Sequence, residues 1–352
     1  MLLTAIYGLI TAFVLTYLSI PPLIFAAKKF NFYDLPNSRK SHTKKIPRLG
    51  GIGIFVGWFA TTMFWCDFAQ FPALKYLLSG VFVLAFVGIK DDISGLNWRN
   101  KFLGQTVAAL ILVIGGDIRI TSFYGILGFG VMPYEISVVF TTLTILTIIN
   151  AYNLIDGVNG LASSIAIIAS VFYSLWFLQV DGSYQYVIIT MSLIGSLIAF
   201  LRFNITPAKI FMGDTGSMVL GYLLAFMSIL FLQLNGTYSG EFSFNSSPAM
   251  AIIVLILPLY DLLRSFFFRL IRKKNPFKPD KNHLHHLLLN LGFSHEIVTL
   301  ILATYSISSI FIAYMLRSLN NQLVGFIVLG YTIILNIILV IFVKKKNHKP
   351  TE

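Results

Sequence analysis

The sequence predicts an all-α integral membrane protein, a polytopic bundle of about eleven transmembrane helices. Three observations carry this reading. Of the 352 residues, 57% are apolar and only 11% are charged, against about 25% charged in an ordinary soluble domain. Mean hydropathy is +0.80. The apolar residues also fall in runs long enough to cross a hydrocarbon core of about 30 Å, which takes about 20 residues of helix. Twenty-six basic and fourteen acidic side chains cannot cover a soluble globule of this size, so a soluble enzyme and a disordered chain are excluded. With Cys66 as the single cysteine, a disulfide scaffold is excluded as well.

The apolar runs are 2–27, 49–66, 72–89, 102–116, 133–152, 161–180, 184–202, 217–235, 248–270, 297–316 and 322–343. They are apolar all round, as burial in lipid or in a bundle requires, and not amphipathic like soluble helices. Helix is the required form, because lipid offers no partners for free backbone groups. The fourth run is short, and the first and ninth are long enough to tilt or protrude. Run 2–27 lacks a basic leader and a small-residue cleavage site, so it reads as a retained first span. No short-period repeat interrupts the pattern. The expectation is one transmembrane domain over 1–352, with no room for a separate soluble domain.

Lysine and arginine set the expected orientation. With spans alternating in direction, 23 of the 26 basic residues fall in the loops after odd-numbered spans and in the C-terminal tail. Only Lys75, Arg119 and Arg317 fall on the other side. Positive loops stay inside, so the expectation is a cytoplasmic C-terminus and an external N-terminus. The net charge of +12 therefore reads as membrane topology, and no nucleic-acid partner is inferred.

This topology sorts residues from which it was not built. Five polar clusters interrupt the apolar pattern: 34–51, 90–101, 150–160, 202–217 and 279–288. All five fall on the expected cytoplasmic side, so the loops 28–48, 90–101, 150–160, 202–216 and 271–296 form the candidate active site. The opposite loops carry only scattered acids such as Asp117 and Glu135.

Asp91-Asp92 closes the third span. An acid at membrane depth is costly, and adjacent carboxylates read either as a solvated helix end beside Lys90 or as a metal or phosphate site with one carboxylate acting as base. Asp156 lies in NAYNLIDG, and on a helix Asn153 shares its face; the rival reading is a helix C-cap ended by Gly157. Asp214 lies in FMGDTGS, with Thr215 and Ser217 adding hydroxyls at the start of the next helix. A helix N-terminus suits phosphate and an Asp there suits Mg²⁺, a cation that prefers oxygen ligands; a plain N-cap is the alternative. His283, His285 and His286 form HxHH beside lysines and arginines. Without cysteine and with few nearby acids, zinc is disfavoured, and hydrogen bonding to a diphosphate is the functional reading. The first loop offers Lys40 and His42 among further cations, readable as phosphate ligands, as the positive-inside signal, or as an attraction to anionic lipid. Carboxylates, amides, histidines and cations at the end of an apolar bundle suit a substrate with phosphates in water and an apolar tail in lipid.

These clusters, in this order and on this side, resemble the polyprenyl-phosphate N-acetylhexosamine-1-phosphate transferases, integral membrane enzymes that start bacterial cell-envelope polymers. The resemblance runs from Asp34 to about Leu291 and includes all five signatures. It implies transfer of a sugar 1-phosphate from a UDP-activated N-acetylhexosamine to undecaprenyl phosphate, releasing UMP, with Mg²⁺ or Mn²⁺, in the bacterial inner membrane with the site facing the cytoplasm. Carried over, Asp91 and Asp92 match the DD motif of the proposed base or nucleophile. Asp214 matches the metal-ligand Asp, and Asn153 is set with it as a metal-ligand candidate. Asn153 and Asp156 fall in the NxxNxxDG motif associated with nucleotide and catalysis, and Asn204 matches an asparagine near uridine. Lys40 and His42 match the first-loop motif, and His283, His285 and His286 match the HxHH linked to the donor diphosphate. Two departures stand out: Asn159 where the family often has a second Asp, and Asp280-Lys281 where it often has an acid–Arg pair, which keeps the charge but loses bidentate contact. The stretch PDKNHLHHLLLNLGFS looks like the N-acetylglucosamine-1-phosphate branch. The muramoyl-pentapeptide branch and, from another class, a lipid or solute transporter are the alternatives. A homodimer is left open.

Overall fold

The computed structural model describes residues 2–30, 32–34, 46–273 and 283–347; Lys40 and His42 lie outside them. The described chain is mostly helical, with a two-residue antiparallel ladder, β1 (Tyr33–Asp34) with β2 (Ile46–Pro47), and an isolated bridge between Ser122 and Val131. The helices in order are α1 (Leu2–Lys29), α2 (Gly50–Trp65), α3 (Leu74–Ser94), α4 (Trp98–Leu110), α5 (Tyr134–Ile155), α6 (Leu161–Phe177) and α7 (Tyr184–Asn204). After them come α8 (Gly213–Asn235), α9 (Ser247–Val254), α10 (Ile256–Ile271), α11 (Leu284–Asn290), α12 (His295–Met315) and α13 (Asn321–Asn347).

This is an all-α membrane protein. Six helices, α1, α5, α7, α8, α12 and α13, are long and apolar enough to cross a bilayer, and the α9–α10 pair makes a seventh if it counts as one span. The expected eleven crossings are not all regular helices of that kind. The second and sixth runs form helices of 16 and 17 residues. The fourth run continues beyond α4 as a π-helical turn over Ile111–Gly115. The ninth run does not tilt as a rod: it breaks at Leu255 and turns by 80°. Pro258 gives the reason. It has no N–H to offer Val254, and its ring clashes with the carbonyl four residues back, so the helix stops and restarts. After the turn, α10 buries Asp261, Arg264 and Ser265 and exposes Leu263, Phe267 and Ile271.

α8 is the axis of the bundle, buried along most of its length, with α2, α3, α5 and α6 packed around it. Without a hydrophobic drive between helices in lipid, close backbone approach and interhelical hydrogen bonds do the joining. The Tyr222 hydroxyl on α8 donates to the Ala108 carbonyl at 3.1 Å, and the Tyr173 and Ser228 hydroxyls pair at 2.7 Å. The Trp58 indole donates to the Ile189 carbonyl at 3.1 Å, tying α2 to α7.

A close backbone crossing lies where α2 and α3 pass the start of α8. A methyl group on Gly51 would lie 2.1 Å from the Gly216 nitrogen, and one on Gly88 would lie 2.4 Å from the Thr215 Cα. The obstacle in both cases is backbone, which cannot swing aside. Gly51→Val is therefore expected to cost about 1–3 kcal/mol or more as overpacking and to lower the melting temperature of detergent-solubilised protein. Gly325→Ala on α13, where nothing lies within 4 Å, leaves it unchanged.

Candidate active site

The crossing of α2, α3 and α8 brings three of the sequence-selected carboxylates together. Asp91 and Asp92 occupy the last turn of α3, past its apolar stretch, and their side chains diverge. Asp92 turns to the start of α8: one oxygen accepts the Asp214 N–H at 2.8 Å, and the other accepts the Thr215 N–H at 3.0 Å and its hydroxyl at 2.6 Å. The first N–H groups of a helix have no partner within it and carry its positive dipole end, and here a carboxylate from another helix fills that place. The α8 N-terminus, which the sequence suggests as a phosphate seat, is thus taken by Asp92. Gly213 makes the approach feasible: its φ is +72°, and a Cβ there would sit 2.2 Å from the Arg48 carbonyl oxygen and 2.7 Å from both Asp92 oxygens. Burial pushes the Asp92 pKa up to about 6, against the Thr215 and Asp214 hydrogen bonds that favour the ionised form.

Asp91 points the other way. One oxygen accepts the Leu96 N–H at 2.6 Å, and the other meets the Lys101 ammonium at 3.1 Å. The same ammonium lies 2.9 Å from Asp214. Burial and the nearby Asp214 hold the Asp91 carboxyl above its ordinary pKa. Asp214 sits in the first turn of α8 and is not its N-cap, a place held by Met212. Its second oxygen takes the Asn153 amide, which also donates to the Ser217 hydroxyl at 2.9 Å. Asn153 and Asp214, both metal-ligand candidates from sequence, are in contact.

Asp156 stands where α5 ends, as its C-cap. Its carboxylate has no hydrogen-bond partner among the described residues. Burial, with Asp214 and Asp92 nearby, raises its pKa well above the usual value, and Arg48 opposes the shift. The shift favours the protonated carboxyl.

The histidines take unequal positions. His283 is buried, with Nδ1 2.9 Å from Asp261, and Asp261 also accepts the Leu284 N–H at 2.8 Å and faces the Arg264 guanidinium at 3.3 Å. His285 is buried against Gly157, whose added Cβ would lie 2.7 Å from its Nε2. Burial and the neighbouring His286 push its pKa down to about 3. It is therefore a neutral imidazole at neutral pH and brings no positive charge to a diphosphate. His286, half-buried, packs on it with ring centroids 4.3 Å apart.

Asn204 is buried, and both ends of its amide serve the backbone: the oxygen accepts the Gly160 N–H at 2.7 Å and the nitrogen donates to the Ile210 carbonyl at 2.9 Å. It joins the 150–160 and 202–216 loops. Asn159 extends that seam, donating from its amide to the Thr206 hydroxyl at 3.0 Å and accepting the Thr299 hydroxyl at its carbonyl at 3.0 Å. Two residues escape the sequence reading. Lys101 is hidden among topology-setting lysines, and Asp261 lies inside a run assigned to a span, although an acid within such a run is itself a signal.

Among the described residues no three His, Cys, Asp or Glu side chains come together as a ligand cage. The oxygens of Asp214, Asp91, Asn153 and Ser217 nevertheless suit Mg²⁺, which is usually held by one or two carboxylates with substrate phosphates completing its shell.

The structure is a membrane bundle with a carboxylate-rich cluster at one polar end. The chain belongs to the glycosyl transferase family 4, whose pattern it matches over residues 74–232. It is 34% identical to a Bacillus subtilis (strain 168) protein named "Probable undecaprenyl-phosphate N-acetylglucosaminyl 1-phosphate transferase", covering 92% of this chain and 88% of that protein. It is 32% identical to the "Decaprenyl-phosphate N-acetylglucosaminephosphotransferase" of Mycobacterium tuberculosis, over 85% and 78% of the two chains. The identity is 30% with the "Undecaprenyl-phosphate alpha-N-acetylglucosaminyl 1-phosphate transferase" of Salmonella typhi, over 83% and 78%.

If ionised Asp92 holds the start of α8, turnover should fall as pH drops through about 6, the Asp92 value. Removing the hydroxyl in Thr215→Val disfavours the carboxylate, so its pKa rises. The acid limb of the pH–turnover profile is expected to move up by about one pH unit, the worth of one hydrogen bond to a charge. An unmoved limb assigns it to another group.

Proposed function

We propose that this protein transfers N-acetylglucosamine 1-phosphate from UDP-N-acetylglucosamine to undecaprenyl phosphate, releasing UMP. The observation that carries the reading is the gathering of Asp91, Asp92, Asp156 and Asp214 at one polar end of an apolar bundle, with Lys101 between Asp91 and Asp214, in a chain whose relatives bear the names of polyprenyl-phosphate transferases. The 23-to-3 bias of basic residues supports eleven crossings, an external N-terminus and a site on the cytoplasmic face of a bacterial inner membrane.

In the reaction, a phosphate oxygen of the acceptor lipid attacks the β-phosphorus of the donor. The bond from that phosphorus to the bridging oxygen breaks, and UMP leaves with the oxygen. Both reactants are anions, so positioning and charge neutralisation dominate the barrier. Mg²⁺, held by Asp214 with Asn153 and Ser217 beside it, would neutralise the donor diphosphate when bound. Asp92 is committed to α8, so of the DD pair Asp91 is the one that faces the reacting groups. Lys101 moves between carboxylate and phosphate as charge shifts, and Asp156 holds or releases the acceptor's remaining proton. His283 and His285 shape the wall next to the donor, Asp261 fixing the first of them. Lys40 and His42 add cations for the phosphates.

The test is UMP release by purified protein in detergent with undecaprenyl phosphate and Mg²⁺, offering UDP-N-acetylglucosamine, UDP-N-acetylgalactosamine or UDP-muramoyl-pentapeptide separately. Lipid-dependent and Mg²⁺-dependent UMP from the first donor alone is expected. No UMP from any donor with folded protein overturns the reading and brings a transporter forward. In the same assay Asp214→Ala and Lys101→Met are each expected to lose at least about 10²-fold in kcat, as for removal of a group that stabilises developing charge.

A further inference from the structure

Asp261 and Arg264 lie on the inner face of α10, 1% and 8% exposed, while its other face carries exposed Leu263, Phe267 and Ile271. A charge so enclosed is costly unless it is paired and hydrogen-bonded, and Asp261 is both. Its two oxygens have different partners. Oδ1 faces the Arg264 guanidinium at 3.3 Å and accepts the Leu284 N–H at 2.8 Å. Oδ2 lies 2.9 Å from Nδ1 of His283. A carboxylate paired with a guanidinium only accepts, so Nδ1 of His283 carries a proton. Nε2 is then the ring nitrogen through which His283 meets a substrate.

His283 begins a row of packed groups that ends beside the carboxylates. It is the N-cap of α11, and its ring lies 5.7 Å from that of His285 with an angle of 5° between them. His285 packs in turn on Gly157, the residue after Asp156. α10 also packs directly on α5. Asp261 therefore stands at the far end of a line that runs from α10 through two imidazoles to the end of α5. Balancing Arg264 and holding the first N–H of α11 both fall to Oδ1. The bond from Oδ2 acts on the imidazole alone, and this is how a carboxylate fixes the tautomer and orientation of a working histidine.

We propose that Asp261 is a positioning residue of the donor site, acting through His283: it holds the proton on Nδ1 and so presents Nε2 to the nucleotide sugar. This role rests on the transferase reading. Asp261→Asn changes it in a definite way. Arg264 and the Leu284 N–H keep an oxygen at the Oδ1 place, so the amide nitrogen stands at the Oδ2 place and donates to Nδ1. The proton of the neutral imidazole then moves to Nε2.

The test has two parts. The first is nitrogen NMR of the full chain with isotope label in its six histidines, the His283 signals being those lost in His283→Gln. A proton on Nδ1 in wild type and on Nε2 in Asp261→Asn is expected. The second is UMP release with undecaprenyl phosphate saturating. Asp261→Asn is expected to raise KM for UDP-N-acetylglucosamine about tenfold, as for loss of a hydrogen bond that involves a charge, with kcat little changed. In a His283→Gln background the same substitution is expected to add nothing, because a residue that acts through another has no effect once the other is gone. If Asp261→Asn alone does not fold, Asp261→Asn with Arg264→Gln removes the paired charges together and takes its place in both parts. A proton that stays on Nδ1, or an equal loss with and without His283, overturns the positioning role. No UMP from folded wild type overturns the transferase reading and the donor role with it, and leaves the NMR result standing.

Discussion

The carboxylate of Asp92 on the first N–H groups of α8 is the interaction on which the rest of the site depends. α8 is the most enclosed helix of the bundle, and its first turn carries Asp214 and Ser217. Where that helix begins decides whether Asp214 can reach Asn153 and Lys101. The start is set from outside, by an acid on α3 that fits only because Gly213 leaves its place empty. Interhelical packing and the chemistry of the site are therefore one constraint. A change that shifts α3 against α8 displaces Asp92 and Asp214 together.

The same interaction divides labour between neighbours in sequence. Successive residues on a helix point about 100° apart, so Asp91 and Asp92 address different partners. One is spent on a helix dipole; the other shares a lysine with Asp214. Lys101 lowers the cost of holding Asp91 and Asp214 together before any substrate arrives. Asp156 is held well above the usual carboxylate pKa by burial and by Asp214 and Asp92, with Arg48 opposing.

The membrane class and the polar clusters of the candidate site are legible because hydrocarbon makes every polar interruption expensive. That logic found Asp91, Asp92, Asp156, Asp214 and the histidines. It could not say which carboxylate would be consumed by α8, since that depends on a contact between residues over a hundred positions apart. Lys101 was invisible because the topology signal and a functional lysine use the same letter. Asp261 is hidden because its run reads as one span long enough to tilt or protrude, although Pro258 carries the evidence for a break. The burial of His285 follows from Gly157 at the end of α5, a neighbour that no local pattern identifies. Asn204 shows the converse: an asparagine in a recognisable motif that spends both ends of its amide on the backbone of adjoining loops.

The 80° turn between α9 and α10 has a kinetic meaning. The turned helix exposes an aromatic and leucine-rich face at Leu263, Phe267, Phe268 and Leu270 and buries Asp261. On the proposed reaction, the two reactants then reach the enzyme through different geometries of diffusion. The donor is met at its concentration per volume of water, and the acceptor at its density per area of membrane. The enzyme couples a three-dimensional pool to a two-dimensional one, and its rate in a cell is governed by how crowded the bilayer is with acceptor as much as by how much nucleotide sugar the cell makes.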